Sequence, residues 1–370
     1  MEKATPFLEV NVNKVLNKYI KMRGALEGIE LYYAIKACPL PEVVSMLASI
    51  GSGFDLASVG ELELALANGA RMNKCSFGNT IKKAEDIRLF YKAGVYMYAT
   101  DSESDLRRIA EYAPNTKVYV RVLVEPKGAQ WPLSKKFGTT PEEATRLLLL
   151  AEELNLIPYG VSFHPGSQQM DLGAWEEAAL IAKRVFENCV DKGITLEMLN
   201  IGGGFPAKYV EEHPGINAYG KAISSSLSYF LDRSVRIIAE PGRGLVGDAG
   251  DLYSEVVLVD NKGGDQRWVF IDAGRYRGLA ETEGESIKYK MSWFHSNGKQ
   301  YHVSPEWVPS IIAGPSCDSA DVLYEKNLVL TPKNLKQGDY VVLHSTGAYT
   351  SSYSAVSFNG FTPLETFAKA

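Results

Sequence analysis

The stretch LYYAIK, residues 31–36, is a short apolar run that ends at Lys36. Seven further apolar or β-prone runs follow, at residues 53–54, 75–77, 95–100, 118–124, 157–163, 198–201 and 235–239. Most of these runs stop at a residue that can take part in chemistry, and one carries such a residue inside it. Those residues, in chain order, are Asp55, Gly78 with Asn79, Asp101, Arg121, His164, the triplet Gly202, Gly203 and Gly204, and Glu240.

Segments with helical spacing separate the runs. They cover residues 41–49, 60–68, 81–93, 105–112, 141–155, 174–191 and 218–231. Alternation of strands and helices predicts βα units, and eight such units predict a (β/α)8 barrel of the TIM type. The active site of this fold lies where the strands end, so we expect the residues at those ends to form one site.

The pattern changes after Glu240. The runs that follow are of the β type, at residues 252–259, 267–271, 311–313, 327–330 and 340–343, with turns rich in Gly and Asn between them. We therefore predict a barrel domain over residues 11–249. Residues 250–370, together with residues 1–10, are predicted to form a C-terminal all-β domain. The opening stretch, residues 5–12, either pairs into the β domain or caps the barrel.

Composition limits the classes of function. The chain has 370 residues, a hydrophobic fraction of 45%, a charged fraction of 22% and a net charge of −5. Without a basic stripe, we expect neither nucleic acid nor an anionic membrane as partner. No apolar run is long enough to cross a bilayer, and the N-terminus lacks a signal pattern, so we expect a cytoplasmic protein. The four cysteines and five histidines are scattered, so we expect no metal site.

Lys36 and Glu240 are a pair of special interest. A lysine at a barrel strand end is either an exposed surface residue or an amine that binds a carbonyl compound covalently. Glu240 could simply pair with Arg243. Together, the amine and the carboxylate suit pyridoxal phosphate, because that cofactor needs an acidic partner for its ring nitrogen.

Further motifs agree with this interpretation. The triplet in NIGGGFP is either a tight turn or a set of backbone amides for a phosphate. His164 has either a structural role or a place against a planar cofactor, and Ser167 could reach the phosphate. In the C-terminal half, Cys317 is either inert and buried or an exposed thiol beside Asp318. Tyr349 offers a hydroxyl group to a phosphate or a substrate.

These motifs, taken in order, resemble a known family. The segments YYAIKACP, GFDLASVGELE, SFHPGSQQ, NIGGGFP, IAEPGR, GPSCDSAD, GAYT and FNGF extend from Tyr32 to Phe361. The chain resembles the fold type III pyridoxal-phosphate decarboxylases, the group that acts on ornithine, diaminopimelate and arginine. It is most similar to bacterial ornithine decarboxylases and to related enzymes that accept both lysine and ornithine.

The resemblance implies a role for each matching position. Lys36 would hold the cofactor, Glu240 would pair with its ring nitrogen, and His164 would stack on the ring. The phosphate would be surrounded by Ser167, Gly202, Gly203, Gly204, Arg243 and Tyr349, while Asp55, Glu61, Arg121 and Lys136 match further positions around the site and its dimer contacts. Cys317 would return a proton after carbon dioxide leaves, and the substrate would contact Asp318, Glu285 and Phe358, with Glu283 as a second choice for the position of Glu285. Cys317 and Asp318 would reach the partner's site in an obligate homodimer.

The substrate implied is L-ornithine, converted to putrescine in polyamine synthesis. Diaminopimelate decarboxylases usually carry CES where this chain has CDS at residues 317–319. Acidic residues at 318 and 285 suit a simple terminal cation. Pro165 departs from the family's usual Val, and a Glu in place of Asp at 285 leaves ornithine, lysine and arginine open. An amino-acid racemase, which shares the barrel and the lysine, and a non-catalytic regulatory homologue that binds a partner are also open.

Overall fold

The computed structural model describes residues 3–125, 127–131, 136–301 and 306–370. The chain divides into two compact units. The barrel unit consists of Leu16–Pro206 and His213–Gly244. The sheet unit consists of the N-terminal residues up to Val15, the segment Ala207–Glu212 and Leu245–Ala370.

The barrel unit contains the predicted closed parallel barrel. Its eight strands, all within the described residues, are Ile29–Ala34, Gly53–Leu56, Cys75–Phe77, Met97–Thr100, Lys117–Arg121, Ile157–Ser162, Met198–Asn200 and Arg236–Ala239. Each strand pairs in parallel with the next along the chain, and the last pairs with the first through Ile237 and Ile29. All eight predicted runs are therefore strands, and the predicted fold class is confirmed.

The barrel strands are short and apolar because both of their faces are buried. The interior holds a layer of large side chains packed together, namely Tyr32, Met97, Ala99, Tyr119, Tyr159, Met198 and Ile238. Filling the interior in this way makes the barrel a packed core rather than a channel. Polar side chains can then approach the barrel axis only beyond this layer, at the ends of the strands.

Helices alternate with the barrel strands along the chain. They are Val12–Ala25, Pro41–Ser49, Val59–Ala67, Ala84–Ala93, Glu103–Tyr112, Pro141–Glu153, Ala174–Val190, Ile216–Ser226, Ser228–Leu231 and Arg243–Val246. Proline occupies the first position of two of them, where its missing N–H costs nothing. The side chain of Thr140 accepts a hydrogen bond from the backbone N–H of Glu143 and so caps Pro141–Glu153.

The sheet unit is built on one eight-stranded sheet. The strands are Phe7–Asn11, Gly250–Asp260, Arg267–Ile271, Met291–Phe294, Trp307–Ala313, Val322–Pro332, Tyr340–His344 and Glu365–Lys369. Burial alternates along Gly250–Asp260 and Arg267–Ile271, as expected for strands with one face on a core. The N-terminal strand pairs with this sheet, with Phe7 opposite Tyr253, so residues 5–12 pair into the β domain rather than cap the barrel.

Several elements were not predicted, among them two strands of the sheet unit and the helix that follows the N-terminal strand. Met291–Phe294 and Glu365–Lys369 are short strands at which the sequence shows little alternation. The helix Val12–Ala25 carried a readable signal, since Val15, Tyr19 and Met22 are spaced by four and three residues and are all buried. Among the described residues, no helix has the length and apolar character needed to span a membrane.

A fully buried ion pair fixes one side of the barrel. The Lys82 ammonium donates to Oδ2 of Asp105 at 2.7 Å, to the carbonyl oxygen of Asn79 at 2.9 Å and to that of Ala99 at 2.6 Å. The Lys82 and Asp105 side chains are 0% and 1% exposed. Since an ammonium has three N–H donors, every donor is satisfied. The pair connects the loop at Asn79, the end of a barrel strand and the helix Glu103–Tyr112.

We predict that Lys82→Met destabilises the protein strongly. Without Lys82, the buried Asp105 carboxylate keeps the Thr100 hydroxyl at 2.9 Å and the Arg108 guanidinium at 3.4 Å but loses its buried cation. Removing one partner of a buried ion pair typically costs about 3–5 kcal/mol. The neighbouring Lys83 is exposed, so Lys83→Met serves as the matched control. Urea unfolding of the three proteins checks the prediction. A loss of unfolding free energy for Lys82→Met no larger than that for Lys83→Met would contradict it.

Candidate active site

The predicted site residues of the barrel unit lie at or just after the carboxyl ends of its strands. Lys36 lies in a short 3-10 turn, Ile35–Ala37, that directly follows the strand Ile29–Ala34. Its ammonium contacts Oδ2 of Asp55 at 3.1 Å. The Asp55 side chain is 3% exposed, whereas that of Lys36 is 47% exposed. The structure therefore places a lysine amine against a buried carboxylate at the opening of the barrel.

The second oxygen of Asp55 is a buried polar atom without a partner. Its Oδ1 meets no hydrogen-bond donor within the described chain. Gly78 lies beside it, and a Cβ at Gly78 would come within 1.8 Å of this oxygen. A buried carboxylate oxygen without a donor is costly in a folded protein, and such atoms are frequent where a ligand or water completes the site.

Glu240 follows the last barrel strand. Its Oε1 accepts a hydrogen bond from the side-chain amide of Asn200. Burial and, to a smaller extent, the negative charge of Asp55 raise the pKa of Glu240 to about 7. Lys36, Asn200 and Arg121 act in the opposite direction on the same pKa. The carboxyl group therefore gains most from a cation placed next to it, because a cation would return it to the ionised form.

His164 is held as a neutral ring. Burial lowers the pKa of His164 well below its ordinary value, and the positive charges of Arg121 and Lys36 lower it further. The backbone N–H of Gly166 donates to Nδ1 of His164 at 3.1 Å. Since Nδ1 accepts this bond, the proton of the neutral ring lies on the other nitrogen, Nε2. The ring is therefore flat and uncharged, as required for stacking on another planar ring.

Three consecutive glycines form the loop after Met198–Asn200. A Cβ at Gly202 would come within 2.3 Å of the Phe163 carbonyl oxygen, and one at Gly203 within 2.6 Å of the Glu240 carbonyl oxygen. A Cβ at Gly204 would come within 2.6 Å of the Gly166 carbonyl oxygen. Each glycine is thus required by close approach of backbone. The Gly202 N–H donates to Oδ1 of Asn200 at 2.9 Å, so the amides of Gly203 and Gly204 are the candidates for a phosphate.

Ser167 and Arg243 form a buried donor pair next to this loop. Arg243 is 3% exposed, and both its Nε and its Nη2 lie 3.2 Å from Oγ of Ser167. Gln169 stabilises the segment, since its backbone N–H donates to the Gly204 carbonyl at 2.9 Å and its side chain donates to the Pro165 carbonyl at 2.6 Å. A guanidinium and a hydroxyl are therefore held close to the glycine loop.

The remaining predicted residues of this unit lie around the opening. Oε2 of Glu61 accepts from the backbone N–H of Ala57 at 2.7 Å, so Glu61 caps its own helix. Burial raises the pKa of Glu61 to about 7, although the Ala57 N–H and the charge of Lys36 act in the opposite direction. The Arg121 guanidinium lies 5.2 Å from the ring centre of Phe137, and the exposed Lys136 ammonium lies 5.1 Å from it.

Cys317, Asp318 and Phe358 belong to the sheet unit and lie close together there. The Cys317 side chain is exposed rather than buried, which decides between the two predicted states of this thiol. Asp318 accepts from the Tyr276 hydroxyl at 2.8 Å and from the Ala320 backbone N–H at 2.9 Å. These hydrogen bonds lower the pKa of Asp318, with the Ala320 contribution the larger. The rings of Tyr276 and Phe358 are 4.4 Å apart.

Tyr349 also lies in the sheet unit. Its side chain is partly buried, and its ring centre is 5.6 Å from that of Tyr353. Its backbone has a φ of 54°, a left-handed conformation that few residues other than glycine adopt. The phosphate-binding role suggested for Tyr349 stays a prediction.

The geometry does not support Glu285 as a ligand of a substrate ammonium. Its Oε1 accepts from the backbone N–H of Glu325 at 2.8 Å and from that of Lys326 at 2.6 Å. Its Oε2 accepts from the backbone N–H of Asn327 at 2.9 Å and also from the Asn327 side chain. The residue is 9% exposed. We correct our expectation accordingly, because a carboxylate with four donors on it anchors the strand Val322–Pro332, while Glu283, the second choice, is exposed.

Two residues were not singled out from the sequence. Asn200, 1% exposed, is a polar residue at the end of a buried strand, and this position was the available signal. Tyr276 has no comparable signal, because its contact with Asp318 joins residues 42 positions apart in the chain.

The comparisons with known proteins identify the family of the chain. The family model described as pyridoxal-dependent decarboxylase, pyridoxal binding domain, matches residues 12–247. A lysine/ornithine decarboxylase of Selenomonas ruminantium is 35% identical over 360 residues, which cover 96% of this chain and 88% of that protein. The chain belongs to the pyridoxal-dependent decarboxylases.

Solved structures give the same result. A lysine/ornithine decarboxylase from Vibrio vulnificus, complexed with cadaverine, has a TM-score of 0.88 and 31% identity, with 100% of this chain and 95% of that chain covered. The arginine decarboxylase of Paramecium bursaria Chlorella virus, bound to agmatine, has a TM-score of 0.90 and 26% identity, with 99% and 98% covered. The predicted family and enzyme class are confirmed.

The cofactor of this decarboxylase is pyridoxal phosphate, as predicted. The residues at the barrel opening fit it. They provide an amine at Lys36, a carboxyl group at Glu240, and a loop with three glycines beside a guanidinium and a hydroxyl. The unpartnered Oδ1 of Asp55 lies in the same place, next to the lysine amine.

We predict that Glu285 contributes stability that is lost in acid. Burial raises the pKa of Glu285, but the Asn327 side chain and the backbone N–H groups of residues 325–327 together lower it to about 2, from an ordinary 4.5. Because the folded-state pKa is the lower one, this contribution is complete above about pH 5 and disappears as the pH falls from there towards about 2. Glu285→Gln should therefore lower the urea midpoint markedly at about pH 7 and by roughly three-fifths as much at about pH 3.5.

The exposed Glu283, two residues away, provides the matched control. Glu283→Gln should leave the midpoint of the cofactor-free protein unchanged at both pH values. Equal losses for Glu285→Gln at both pH values would contradict the ionised, hydrogen-bonded carboxylate.

Proposed function

We propose that this decarboxylase converts L-ornithine to putrescine and carbon dioxide. The observation that carries the choice of substrate is Asp318, an acidic group held in its charged form by the Tyr276 hydroxyl and the Ala320 N–H. A carboxylate of this kind suits the terminal ammonium of a basic amino acid. It suits diaminopimelate less well, because the distal end of that substrate carries a carboxylate as well as an amine.

We further propose how the chain holds its cofactor. Lys36 would hold the cofactor through its amine, and the Asp55 carboxylate, 3.1 Å away, would keep the amine in place. Glu240 accepts a hydrogen bond from the protonated ring nitrogen. The neutral ring of His164 lies against the cofactor ring. Arg243, Ser167 and the amides of the glycine loop surround the phosphate, with Tyr349 as a further donor.

The bound pyridoxal phosphate supplies an electron sink that accepts the electron pair released when the substrate loses its carboxylate. The residues of the chain then set the conditions around it. A carboxylate at 240 favours the protonated ring nitrogen that makes a good sink. The Cys317 thiol, exposed in the sheet unit, returns a proton to the substrate carbon. The proton is replaced from solvent.

A second candidate is a decarboxylase that accepts both lysine and ornithine. It is favoured by the Selenomonas and Vibrio relatives, which are named lysine/ornithine decarboxylases and are 35% and 31% identical to this chain. Because the Glu285 carboxylate is bound by backbone N–H groups, Asp318 is the anion proposed to bind the distal ammonium of the substrate. A single anion at the end of a pocket distinguishes only weakly between substrates of different side-chain length. One methylene group is worth only about 1–3 kcal/mol in such discrimination.

Carbon dioxide release distinguishes these possibilities. The purified protein with pyridoxal phosphate is given L-ornithine, L-lysine, L-arginine and meso-diaminopimelate separately, and we expect the highest kcat/KM with ornithine. Comparable turnover of lysine would identify the dual-specificity enzyme. Asp318→Asn should lower kcat/KM for ornithine by about 10-fold or more, because the ammonium loses its anion. Dominant turnover of diaminopimelate would contradict the proposal, as would no release from any substrate by protein that carries the yellow cofactor.

We also propose that the enzyme is a homodimer in which Cys317 and Asp318 of one subunit complete the site of the other. Mixing subunits tests this arrangement. A Lys36→Ala chain alone is expected to be nearly inactive, and an Asp318→Asn chain alone to keep at most about a tenth of the wild-type activity. In a random mixture of the two, half of the dimers contain one intact site of two, so activity should recover to about a quarter of the wild-type value.

The matched control is a mixture prepared in the same way from a single variant. Two differently tagged Lys36→Ala chains should show no recovery. An inactive mixture of Lys36→Ala and Asp318→Asn, with heterodimers demonstrated by the two tags, would contradict the shared site.

A further inference from the structure

The side chain of Asn200 links Glu240 to the glycine loop. Three hydrogen bonds form a closed cycle at the ends of two neighbouring barrel strands. The backbone N–H of Gly202 donates to Oδ1 of Asn200 at 2.9 Å, and the side-chain amide of Asn200 donates to Oε1 of Glu240. The backbone N–H of Glu240 completes the cycle by donating to the carbonyl oxygen of Gly202 at 2.7 Å.

The direction of these bonds is fixed by chemistry. A backbone N–H can only donate, so the atom of Asn200 that faces Gly202 must be the amide oxygen. The atom that faces Glu240 is then the amide nitrogen, which donates to an ionised carboxylate. Asn200 is 1% exposed, so loss of either bond would leave a buried polar group without its partner.

We infer that Asn200 is a positioning residue that orients the Glu240 carboxylate and the glycine loop together. This inference rests on the cofactor role proposed for Glu240. The amide occupies Oε1, while Oε2 receives no hydrogen bond from any described residue. Oε2 is thus the oxygen left for the ring nitrogen. The same side chain accepts a hydrogen bond from the Gly202 N–H, so it fixes the position of the Glu240 carboxylate relative to the glycine loop.

The charged groups around Glu240 make this position sensitive. Asp55 faces it from one strand, Lys36 from the turn after another, and Arg121 from a third, and each alters the pKa of the Glu240 carboxyl. Among these neighbours, Asn200 is the one that donates a hydrogen bond to the carboxylate without bringing a charge. An aspartate in its place would have nearly the same shape and could still accept from Gly202, but it could not donate to an ionised Glu240.

Asn200→Asp is therefore the first variant. We expect it to weaken binding of pyridoxal phosphate to the cofactor-free protein by about 10-fold or more, because a donor is replaced by a second carboxylate. The pH at which the absorbance of the bound cofactor changes should shift, because Glu240 would share a proton with residue 200. Asn68→Asp is the matched control, because Asn68 makes its side-chain bond to Leu64 at the end of an outer helix.

A double variant that exchanges the amide and the carboxylate distinguishes a role in cofactor binding from a role in stability alone. In Asn200→Asp combined with Glu240→Gln, the amide and the carboxylate exchange places and the hydrogen bond can form in the opposite direction. We expect the urea midpoint of the cofactor-free double variant to return close to the wild-type value. Its affinity for pyridoxal phosphate should stay low, because position 240 no longer carries a carboxylate.

The outcomes are distinct. Binding of pyridoxal phosphate within about twofold of wild type, with an unchanged spectral pH profile, in Asn200→Asp would overturn the inference. Full recovery of cofactor affinity in the double variant would also overturn it, since Asn200 would then act only on stability. If Glu240→Gln alone leaves the affinity unchanged, the role proposed for Glu240 has failed, and the inference falls with it. None of these readouts depends on which amino acid is the substrate.

Discussion

The closure of eight parallel strands into a barrel is the constraint on which the rest of this structure depends. In a parallel barrel every strand ends on the same rim, so residues far apart in the chain are brought to one place. The interior below the rim is filled by large side chains such as Tyr32, Tyr119 and Tyr159. Polar groups can therefore collect only at the strand ends, where Lys36, Asp55 and the others lie.

The burial of charge at this rim gives the site its chemical character. Few of these groups are solvated, so each depends on its neighbours for its protonation state. Burial alone raises the pKa of Glu240 and lowers the pKa of His164, so it favours the uncharged form of both. For His164 the result is a neutral ring beside Lys36 and Arg121. For Glu240 the result is a carboxyl group whose ionisation is coupled to a cation in the site. Both properties follow from position rather than from residue type.

Much of the fold and part of the site could be predicted from the sequence. The barrel strands are continuous apolar runs because both of their faces are buried, and their last residues identify the rim. The glycine triplet was recognisable because backbone crowding at Gly202, Gly203 and Gly204 excludes side chains. The resemblance to a decarboxylase family gave predicted roles to Cys317, Asp318 and Tyr349 of the sheet unit, which no periodicity could have connected with Lys36, and these roles stay predictions.

Other features depend on contacts that no local pattern reports. Glu285 looked like a substrate ligand because it is acidic and lies in the expected segment, yet three backbone N–H groups from residues 325–327 converge on it. The roles of Asn200 and Tyr276 likewise depend on partners 40 and 42 positions away in the chain. Hydrogen bonds of this kind join elements that are distant in sequence, so they become visible only after the chain has folded.

The central claim is that the Lys36 amine at the barrel rim carries the cofactor. Its most direct test is reduction of the pyridoxal-phosphate-loaded protein with borohydride, followed by digestion and mass spectrometry of the peptides. A pyridoxyl group on the peptide that contains Lys36, and its absence there in Lys36→Ala, is the expected result. Attachment chiefly at another lysine, or no stable attachment in protein that binds the cofactor, would contradict the account.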